Sequence, residues 1–201
     1  MFQNFMKYFV KQVEINVLHN YNMRPMIRFC KQYFKDRKGL VTAEIGVGYG
    51  HNSYNILANL PVKKHYCIDP YLDYKEHAVV NQGVQDRNYK EVTEYLVGKF
   101  GNKVKFIREK SQEAVGLFPD DVLDVLYIDG NHWYEYIKKD IELFYPKIKT
   151  GGVIGGHDFC ATYGNDIGNA EVCRAVIDFI DNNNLNNLLD GRSTDWWIIK
   201  K

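Results

Sequence analysis

The fold of this chain is decided by the stretch Thr42-Ala43-Glu44-Ile45-Gly46-Val47-Gly48-Tyr49-Gly50. Residues 40–45 are apolar apart from Thr42 and Glu44, and this run is too short for a helix. Three glycines on alternate positions follow the run, which is typical of a tight turn. The pattern therefore predicts a buried strand that leads into a glycine-rich turn.

The turn is followed by a predicted helix from His51 to Leu60, which Pro61 ends. Glycine tolerates positive φ and has no Cβ atom, so a ligand can lie directly against such a turn. Backbone N–H groups at the start of the helix would face that ligand. The dinucleotide fingerprint Gly-x-Gly-x-x-Gly would require glycine at position 51, where this chain has His51, so the spacing disfavours an NAD binder.

Length and charge indicate the class of protein. The chain has 201 residues, which is enough for one domain with a full core and too few for two ordinary domains. Its 26 lysines and arginines nearly balance its 25 aspartates and glutamates, so no long-range field would gather nucleic acid. We therefore expect a small-molecule or carbohydrate partner and no nucleic acid.

Cysteine usage and hydropathy indicate the compartment. The four cysteines are scattered without a Cys-x-x-Cys pair: Cys30, Cys67, Cys160 and Cys173. This spacing favours reduced thiols in a cytoplasmic protein over a disulfide framework or a zinc site. Charged residues interrupt the apolar residues near the start, and no run approaches the ~20 apolar residues of a membrane span. We expect neither a signal peptide nor a membrane span.

Residues 1–37 are predicted to form an N-terminal helical segment. Apolar residues recur at helical spacing between residues 2 and 17, which indicates an amphipathic helix. This helix could pack on its own domain, cover the ligand as a lid, form a homodimer contact or bind a membrane surface, and its weakly basic polar face favours the first two. A second helix is predicted from Arg24 to Lys35.

Residues 38–201 alternate between strand and helix patterns. Further strands are predicted at 64–69, 103–108, 123–130 and 151–156, with helices at 89–100 and 170–180 among the connections. A strand at 185–189, a turn at Asp190-Gly191 and a last strand at 196–199 predict a closing hairpin. The predicted fold class is α/β: a Rossmann-like, doubly wound sheet of about seven strands with a C-terminal antiparallel hairpin, in three α/β/α layers.

Two motifs resemble a known family. The pattern Glu-x-Gly-x-Gly-x-Gly at 44–50 resembles motif I of the class I S-adenosylmethionine-dependent methyltransferases. The segments Tyr127-Ile128-Asp129-Gly130-Asn131-His132, Tyr145-Pro146, Gly151-Gly152 and Gly156-His157-Asp158 resemble the small-molecule and sugar O-methyltransferase branch called methyltransferase family 24. The resemblance covers roughly residues 38–201 and implies S-adenosylmethionine as the cofactor, with Glu44 near its sulfonium and amino-acid end.

Eight residues are predicted to bind the cofactor: Glu44, Gly46, Gly48, Gly50, Asp69, Ser111, Gln112 and Asp129. Asp69 ends a strand 19 residues beyond Gly50, where nucleoside-binding folds place an acid that accepts the ribose hydroxyls; the alternative is a turn-forming Asp before Pro70. Ser111 and Gln112 follow the third strand, where the family contacts adenine, although either could instead cap a helix.

A polar cluster is expected where the fourth and fifth strands end. Asp129 and Asp158 close adjacent parallel strands, and His132 and His157 lie beside them in sequence. The predicted metal ligands are Asp129, His157 and Asp158, because paired carboxylates suit Mg²⁺ or Mn²⁺. Metal-dependent relatives carry an acid at the position of His157, and some carry an acidic base at the position of Asn131, so binding of substrate without a metal stays open.

The predicted catalytic residues are His132, His157 and Asp129. Methyl transfer from a sulfonium is an in-line displacement, so the protein mainly aligns the acceptor with the methyl group. A hydroxyl acceptor must also lose its proton, which a histidine can accept or a bound cation can favour. The sequence thus predicts O-methylation of a small molecule or sugar. The alternatives are an NAD binder, a fold that binds cofactor without catalysis, and a metal-dependent hydroxylase-like relative.

Overall fold

A computed structural model describes residues 23–73, 81–159, 167–185, 189–192 and 194–201. The strands are β1 Leu40–Ile45, β2 Val62–Ile68, β3 Val104–Ile107, β4 Leu123–Ile128, β5 Ile148–Gly156, β6 Leu189–Arg192 and β7 Asp195–Ile199. The helices are α1 Pro25–Tyr33, α2 His51–Asn59, α3 Gln82–Phe100, α4 Ser111–Ala114, α5 Tyr134–Phe144 and α6 Ile167–Asn182.

The seven described strands form one sheet in the order β3-β2-β1-β4-β5-β7-β6. Strands β1 to β5 pair in parallel, whereas β7 pairs antiparallel with both β5 and β6. The first and second halves of the sheet diverge between β1 and β4, which is the switch point where open α/β sheets bind ligands. The predicted Rossmann-like α/β fold with an antiparallel hairpin at its end is confirmed.

The parallel strands end in register. Ile45 at the end of β1 pairs with Ile68 of β2 and with Ile128 of β4. Ile128 in turn pairs with Gly156 at the end of β5. The residues that follow these strands therefore meet at one edge of the sheet, as the sequence predicted for Asp129 and Asp158.

Strand β7 brings a further set of residues to that edge. Because β7 is antiparallel to β5, its beginning lies where β5 ends, and Gly156 pairs with Trp196. Thr194 and Asp195 therefore lie beside the ends of β4 and β5, although almost forty residues separate them from the end of β5 in the chain.

Apolar side chains cover both faces of the sheet. One cluster joins the sheet to α1, α2 and α3 and includes Tyr127 and Trp197. The other joins it to α4, α5 and α6 and includes Ile128 and Trp196. Neighbouring residues of a strand point to opposite faces, so β4 and β7 are apolar on both sides apart from Asp124 and Asp195. The result is the predicted three-layer arrangement.

Helix α1 packs on the sheet. Met26, Ile27 and Cys30 are fully buried, and the ring of Phe29 stacks on Trp197 at 5.1 Å between centroids. Pro25 suits the first turn of the helix, since its missing N–H would have had no intrahelical acceptor. The division of the chain at residue 37 stays a prediction, but this helix shares the core of the residues that follow it.

The structure corrects the start of one predicted helix and the position of the predicted closing hairpin. Helix α3 begins at Gln82 rather than at residue 89, because the Asn81 side chain accepts a hydrogen bond from the N–H of Val84 and caps the helix. The strand predicted at 185–189 does not include Leu185, whose N–H donates to the carbonyl of Ile180 at the end of α6. Strand β6 is 189–192, so the turn predicted at Asp190-Gly191 is wrong as well.

Several expectations concern residues outside the described ranges. The amphipathic helix predicted between residues 2 and 17 and the reduced thiol predicted for Cys160 belong to this group. Within the described ranges, no helix has the length and the apolar character to cross a membrane. The described cysteines Cys30 and Cys67 are buried free thiols. The cytoplasmic location and the homodimer stay predictions.

Candidate functional site

The three glycines of the turn have different surroundings. A Cβ atom on Gly46 would lie 2.0 Å from the carbonyl oxygen of Asp129, and one on Gly50 would lie 2.6 Å from Cγ1 of Val92. A Cβ atom on Gly48 would meet no atom within 4 Å, at a φ of +50°. Glycine is therefore required at 46 and 50 by packing against the end of β4 and against α3. The open backbone that a ligand could approach is at Gly48.

Asp69 holds this turn from the end of β2. Its Oδ2 atom accepts hydrogen bonds from the N–H groups of Val47 at 2.9 Å and Gly48 at 3.0 Å. Its Oδ1 atom accepts one from the N–H of Tyr71 at 2.8 Å, and the Tyr71 hydroxyl donates to the carbonyl of Gly48 at 2.9 Å. A carboxylate offers about four acceptor positions. One position on Oδ1 is thus left for the ribose contact, which stays a prediction.

Glu44 is buried beneath the first turn of α2. Only 1% of its surface is exposed, and its carboxyl group contacts Nδ2 of Asn52 at 3.0 Å and Oγ of Ser53. Burial raises the pKa of Glu44 to about 8, against the lowering effect of these two hydrogen bonds. In the described residues this side chain therefore joins β1 to α2, and its predicted role towards the cofactor stays a prediction.

Two imidazoles share one carboxylate at the ends of β4 and β5. Nε2 of His132 lies 3.0 Å from Oδ2 of Asp158, and Nδ1 of His157 lies 3.0 Å from Oδ1. The same Nδ1 atom lies 3.9 Å from Asp129, while Nε2 of His157 contacts Oγ1 of Thr194 at 2.6 Å. Protein atoms thus meet both ring nitrogens of His157. His132 is the more exposed imidazole, at 45% of its side-chain surface against 20%.

The carboxylates of this cluster differ in acidity. Burial alone would raise the pKa of Asp158, but hydrogen bonds from His132 and His157 hold that pKa well below its usual range. Burial raises the pKa of Asp129, and the nearby imidazole of His157 opposes this only in part. Asp158 also adopts a φ of +60°, in the left-handed region that Asp and Asn tolerate best among residues with a Cβ atom. Asp158 is therefore the firmly ionised partner of the two imidazoles.

The cluster includes residues that the sequence reasoning missed. Nη2 of Arg24 lies 3.6 Å from Oδ2 of Asp129, and Nη1 lies 3.9 Å from Oδ1 of Asp195. Asp195 is 1% exposed and also accepts hydrogen bonds from the Tyr127 hydroxyl at 3.1 Å and the Met26 N–H at 3.0 Å. The available signal was the antiparallel last strand, since its first residues must lie where the parallel strands end.

Ser111 and Gln112 begin helix α4, after β3. Oγ of Ser111 donates to Oδ1 of Asp140 at 2.5 Å, beneath helix α5. The helix has Lys110 at its N-cap position and no side-chain capping bond, so the capping alternative is wrong. Gln112 is half-buried. The adenine contact of either residue stays a prediction.

Three residues are arranged so that they could hold a metal ion. One ligand atom each from Asp129, His132 and Asp158 lie within 4.8 Å of one another. Two carboxylates and one imidazole suit Mn²⁺ or Fe²⁺ better than Mg²⁺, which prefers oxygen ligands. This donor set fits a divalent cation, and it has His132 where the sequence prediction had His157.

The fold, the glycine turn and the polar cluster at the ends of β4 and β5 together define a class I methyltransferase domain. The family model described as "Methyltransferase domain" matches residues 43–159, from the glycine turn to the end of β5. The chain belongs to this family, methyltransferase family 24.

Known proteins resemble this chain in sequence or in fold. An uncharacterised protein of Acanthamoeba polyphaga mimivirus is 25% identical over 129 residues, which are 62% of this chain and 53% of that protein. The chain thus spans about half the length of the curated relative it matches. The O-methyltransferase NovP has a TM-score of 0.63 and 18% identity, over 88% of this chain and 78% of that chain. The calicheamicin methyltransferase CalS11 has a TM-score of 0.61 and 15% identity, over 94% and 90%.

Proposed function

We propose that this protein transfers the methyl group of S-adenosylmethionine to a hydroxyl oxygen of a small molecule, with sugars as the first acceptor class to test. The observation that carries the proposal is the contact of His132 with Asp158 at 3.0 Å, beside the glycine turn of a methyltransferase domain. An imidazole held by an ionised carboxylate is a suitable group to accept the proton of a hydroxyl.

The described residues fit the cofactor. Gly48 leaves its side of the turn open, and Asp69 fixes the backbone there while retaining an acceptor position for a ribose hydroxyl. When bound, S-adenosylmethionine supplies an activated methyl group. An O-methyltransferase from Bacillus cereus with the same fold, at a TM-score of 0.57 and 13% identity, was solved in complex with S-adenosylhomocysteine.

The proton of the acceptor hydroxyl is the part of the reaction that this chain must handle. Nε2–H of His132 donates to Oδ2 of Asp158 in the neutral tautomer, which leaves Nδ1 as the basic atom. Proton transfer to Nδ1 creates an imidazolium, and the ionised Asp158 stabilises its charge. His157 holds the other oxygen of Asp158 from the far side. In this proposal His157 orients that carboxylate, and His132 rather than His157 accepts the proton.

A divalent cation defines a second candidate version of the same function, because Asp129, His132 and Asp158 converge within 4.8 Å. When bound there, the cation would lower the pKa of the acceptor hydroxyl, and His132 would serve as a ligand. MycE, a structural neighbour at a TM-score of 0.56 and 14% identity, was solved with Mg, S-adenosylhomocysteine and mycinamycin VI. The two versions differ in their sensitivity to chelators.

Calorimetry tests the proposal before an acceptor is known. We expect S-adenosylhomocysteine to bind with micromolar affinity and NAD to give no heat, and these titrations are repeated with EDTA and with added Mn²⁺ or Mg²⁺. A heat of Mn²⁺ binding that is present in the unsubstituted protein and absent in Asp158→Ala would favour the cation version. Absence of any binding by S-adenosylmethionine and S-adenosylhomocysteine would overturn the proposed function.

Acceptors are then screened with radiolabelled S-adenosylmethionine against sugar nucleotides, glycosides and phenols. CalS11 is described as a TDP-rhamnose 3′-O-methyltransferase, which makes deoxysugar nucleotides the first set. We expect transfer to a hydroxyl that is lost in His132→Ala while S-adenosylhomocysteine still binds. Transfer to nitrogen or carbon acceptors alone would contradict O-methylation.

A further inference from the structure

A chain of polar side chains lies buried between β1, β2 and α2, on the face of the sheet opposite α5. Thr42, Ser53 and His65 are fully buried, and Glu44 is 1% exposed. Thr42 and His65 pair across β1 and β2 in the sheet register. The chain lies directly behind the glycine turn, since Glu44 is two residues before Gly46 and Ser53 is in the first turn of α2.

Each neighbouring pair in this chain is within hydrogen-bonding distance. Glu44 contacts Oγ of Ser53, and the same Oγ lies 3.0 Å from Nε2 of His65. On the other side of the ring, Nδ1 of His65 lies 2.8 Å from Oγ1 of Thr42, which lies 3.5 Å from the carbonyl oxygen of Lys64. The four side chains thus form one continuous series that ends at a backbone carbonyl.

Proton counting leaves two arrangements in which the four side chains are joined by hydrogen bonds. Each hydroxyl has one proton to donate, and a neutral imidazole has one N–H and one acceptor nitrogen. If Glu44 is protonated, it donates to Ser53, Ser53 donates to Nε2 of His65, and Nδ1–H donates to Thr42, which donates to Lys64. If Glu44 is ionised, the three bonds between side chains reverse: Thr42 donates to Nδ1, Nε2–H donates to Ser53, and Ser53 donates to Glu44. The bond from Thr42 to the carbonyl of Lys64 is then lost, because a carbonyl oxygen only accepts. The two arrangements differ by one proton and by the tautomer of His65.

The surroundings favour the protonated arrangement in the protein without cofactor. Burial raises the pKa of Glu44 to about 8 and lowers the pKa of His65 to about 3, so His65 stays neutral. The charges near Glu44 oppose each other, because Asp129 raises its pKa and Arg24 lowers it. Among the described residues, the Cys67 thiol and the Tyr71 phenol also interact with Glu44, and both lie near Asp69. Burial raises the pKa of both groups, so both stay neutral near pH 7.

We infer that Glu44, Ser53, His65 and Thr42 form a proton-coupled relay: binding of the sulfonium cofactor on the glycine turn expels the proton of Glu44 and reverses the three hydrogen bonds between these side chains. The inference rests on the proposed function, because it needs a cationic cofactor on that turn. A positive charge near a buried carboxyl favours its ionised form. The Glu44 O–H bond breaks, its proton goes to solvent, and the His65 proton moves from Nδ1 to Nε2. His65 is thus a positioning residue that touches neither cofactor nor acceptor.

The relay predicts a difference between two ligands of nearly equal size. S-adenosylmethionine carries the sulfonium charge, whereas S-adenosylhomocysteine has a neutral thioether. At pH 7 we expect release of close to one proton per bound S-adenosylmethionine and close to none for S-adenosylhomocysteine, measured by calorimetry in two buffers of different ionisation heat. In Glu44→Gln the difference disappears, whereas Glu142→Gln on the exposed face of α5 retains it.

The tautomer of His65 provides an independent readout. In ¹⁵N-labelled protein, with the His65 signals assigned by comparison with His65→Gln, we expect Nδ1–H without ligand and Nε2–H with S-adenosylmethionine. Equal proton release by the two ligands, or an unchanged His65 tautomer while S-adenosylmethionine binds, would overturn the relay and leave the proposed function intact. Failure of both ligands to bind would overturn both.

Discussion

The candidate site at the ends of the parallel strands has two halves that are built by different means. In the glycine-turn half, formed by residues 46–50 and Asp69, backbone N–H groups meet a carboxylate, and glycines allow close packing. In the histidine half, formed by Asp129, His132, His157 and Asp158, side chains meet side chains. Backbone contacts fix a shape that many sequences can share, whereas side-chain contacts can change with each acceptor. The comparison suggests that cofactor binding depends on the backbone and that chemistry depends on a few exchangeable groups.

The largest effect should follow from Gly46→Ala. Its Cβ atom would lie 2.0 Å from the carbonyl oxygen of Asp129, at a φ of +82°. We expect the free energy of unfolding in urea to fall by about 4 kcal/mol or more, among the largest costs of single substitutions. Gly48→Ala is the matched control and should cost only about 1–2 kcal/mol, for its left-handed backbone. Equal losses in the two variants would mean that packing does not distinguish these glycines.

Asp158→Asn should separate chemistry from cofactor binding. Asparagine tolerates the φ of +60° but cannot stabilise an imidazolium on His132. We expect the turnover rate on an identified acceptor to fall by about 10²–10⁴-fold, with the affinity for S-adenosylhomocysteine unchanged. Asp120→Asn, an exposed carboxylate paired with Lys147, is the control. A loss of cofactor affinity equal to the loss in rate would contradict the division into two halves.

Asp69→Asn should weaken the glycine-turn half. An amide has one oxygen, so either the pair of contacts from Val47 and Gly48 or the contact from Tyr71 would be lost. We expect the dissociation constant of S-adenosylhomocysteine to rise by about tenfold, corresponding to one or two hydrogen bonds. The exposed Asp73→Asn should bind normally in the same titration. An unchanged constant in Asp69→Asn would show that the turn keeps its shape without this carboxylate.

The smallest effect should be a change in the pH dependence of stability. The folded-state pKa of Glu44 is raised to about 8, so its contribution to stability is present at low pH and is lost as pH rises towards 8. His65, whose folded-state pKa is lowered to about 3, acts in the opposite sense below about pH 6.5. Between pH 6.5 and 8 we expect the unfolding free energy to fall by up to about 1.4 kcal/mol per pH unit. Urea unfolding of Glu44→Gln should lack this slope, and a slope equal to that of the unsubstituted protein would contradict the assignment.

The fold could be predicted because its signals are local. The glycine turn and the apolar strands each specify one element, and parallel connections then place Asp129 and Asp158 at one edge. The predicted position of the hairpin turn differs from the observed one because Asp190-Gly191 has the composition of a turn but pairs within an edge strand. Local composition could not reveal that pairing partner.

The candidate site was predicted only where residues follow parallel strands. Arg24 precedes the sheet altogether, and Thr194 and Asp195 begin an antiparallel strand, so no pattern in their own sequence points to the crevice. The relay behind the turn was missed for another reason. The sequence pattern places Thr42 and His65 only within strands, and the register of β1 with β2 brings their side chains together. Contacts between distant segments decide such sites, and a single sequence does not contain them.

The hydrogen bond from the Met26 N–H to Asp195 joins residues 169 positions apart, which has a consequence for how the chain acquires its structure. Helix α1 is synthesised long before its partner strand, so its apolar side lacks that cover while the intervening strands assemble. Contacts over such sequence distances slow folding and leave apolar surface exposed to aggregation or chaperones. In pulse-labelled hydrogen exchange during refolding, the amides of α1 should gain protection together with those of β7. Protection of α1 well ahead of β7 would mean that the helix packs on the sheet before the last strand is added.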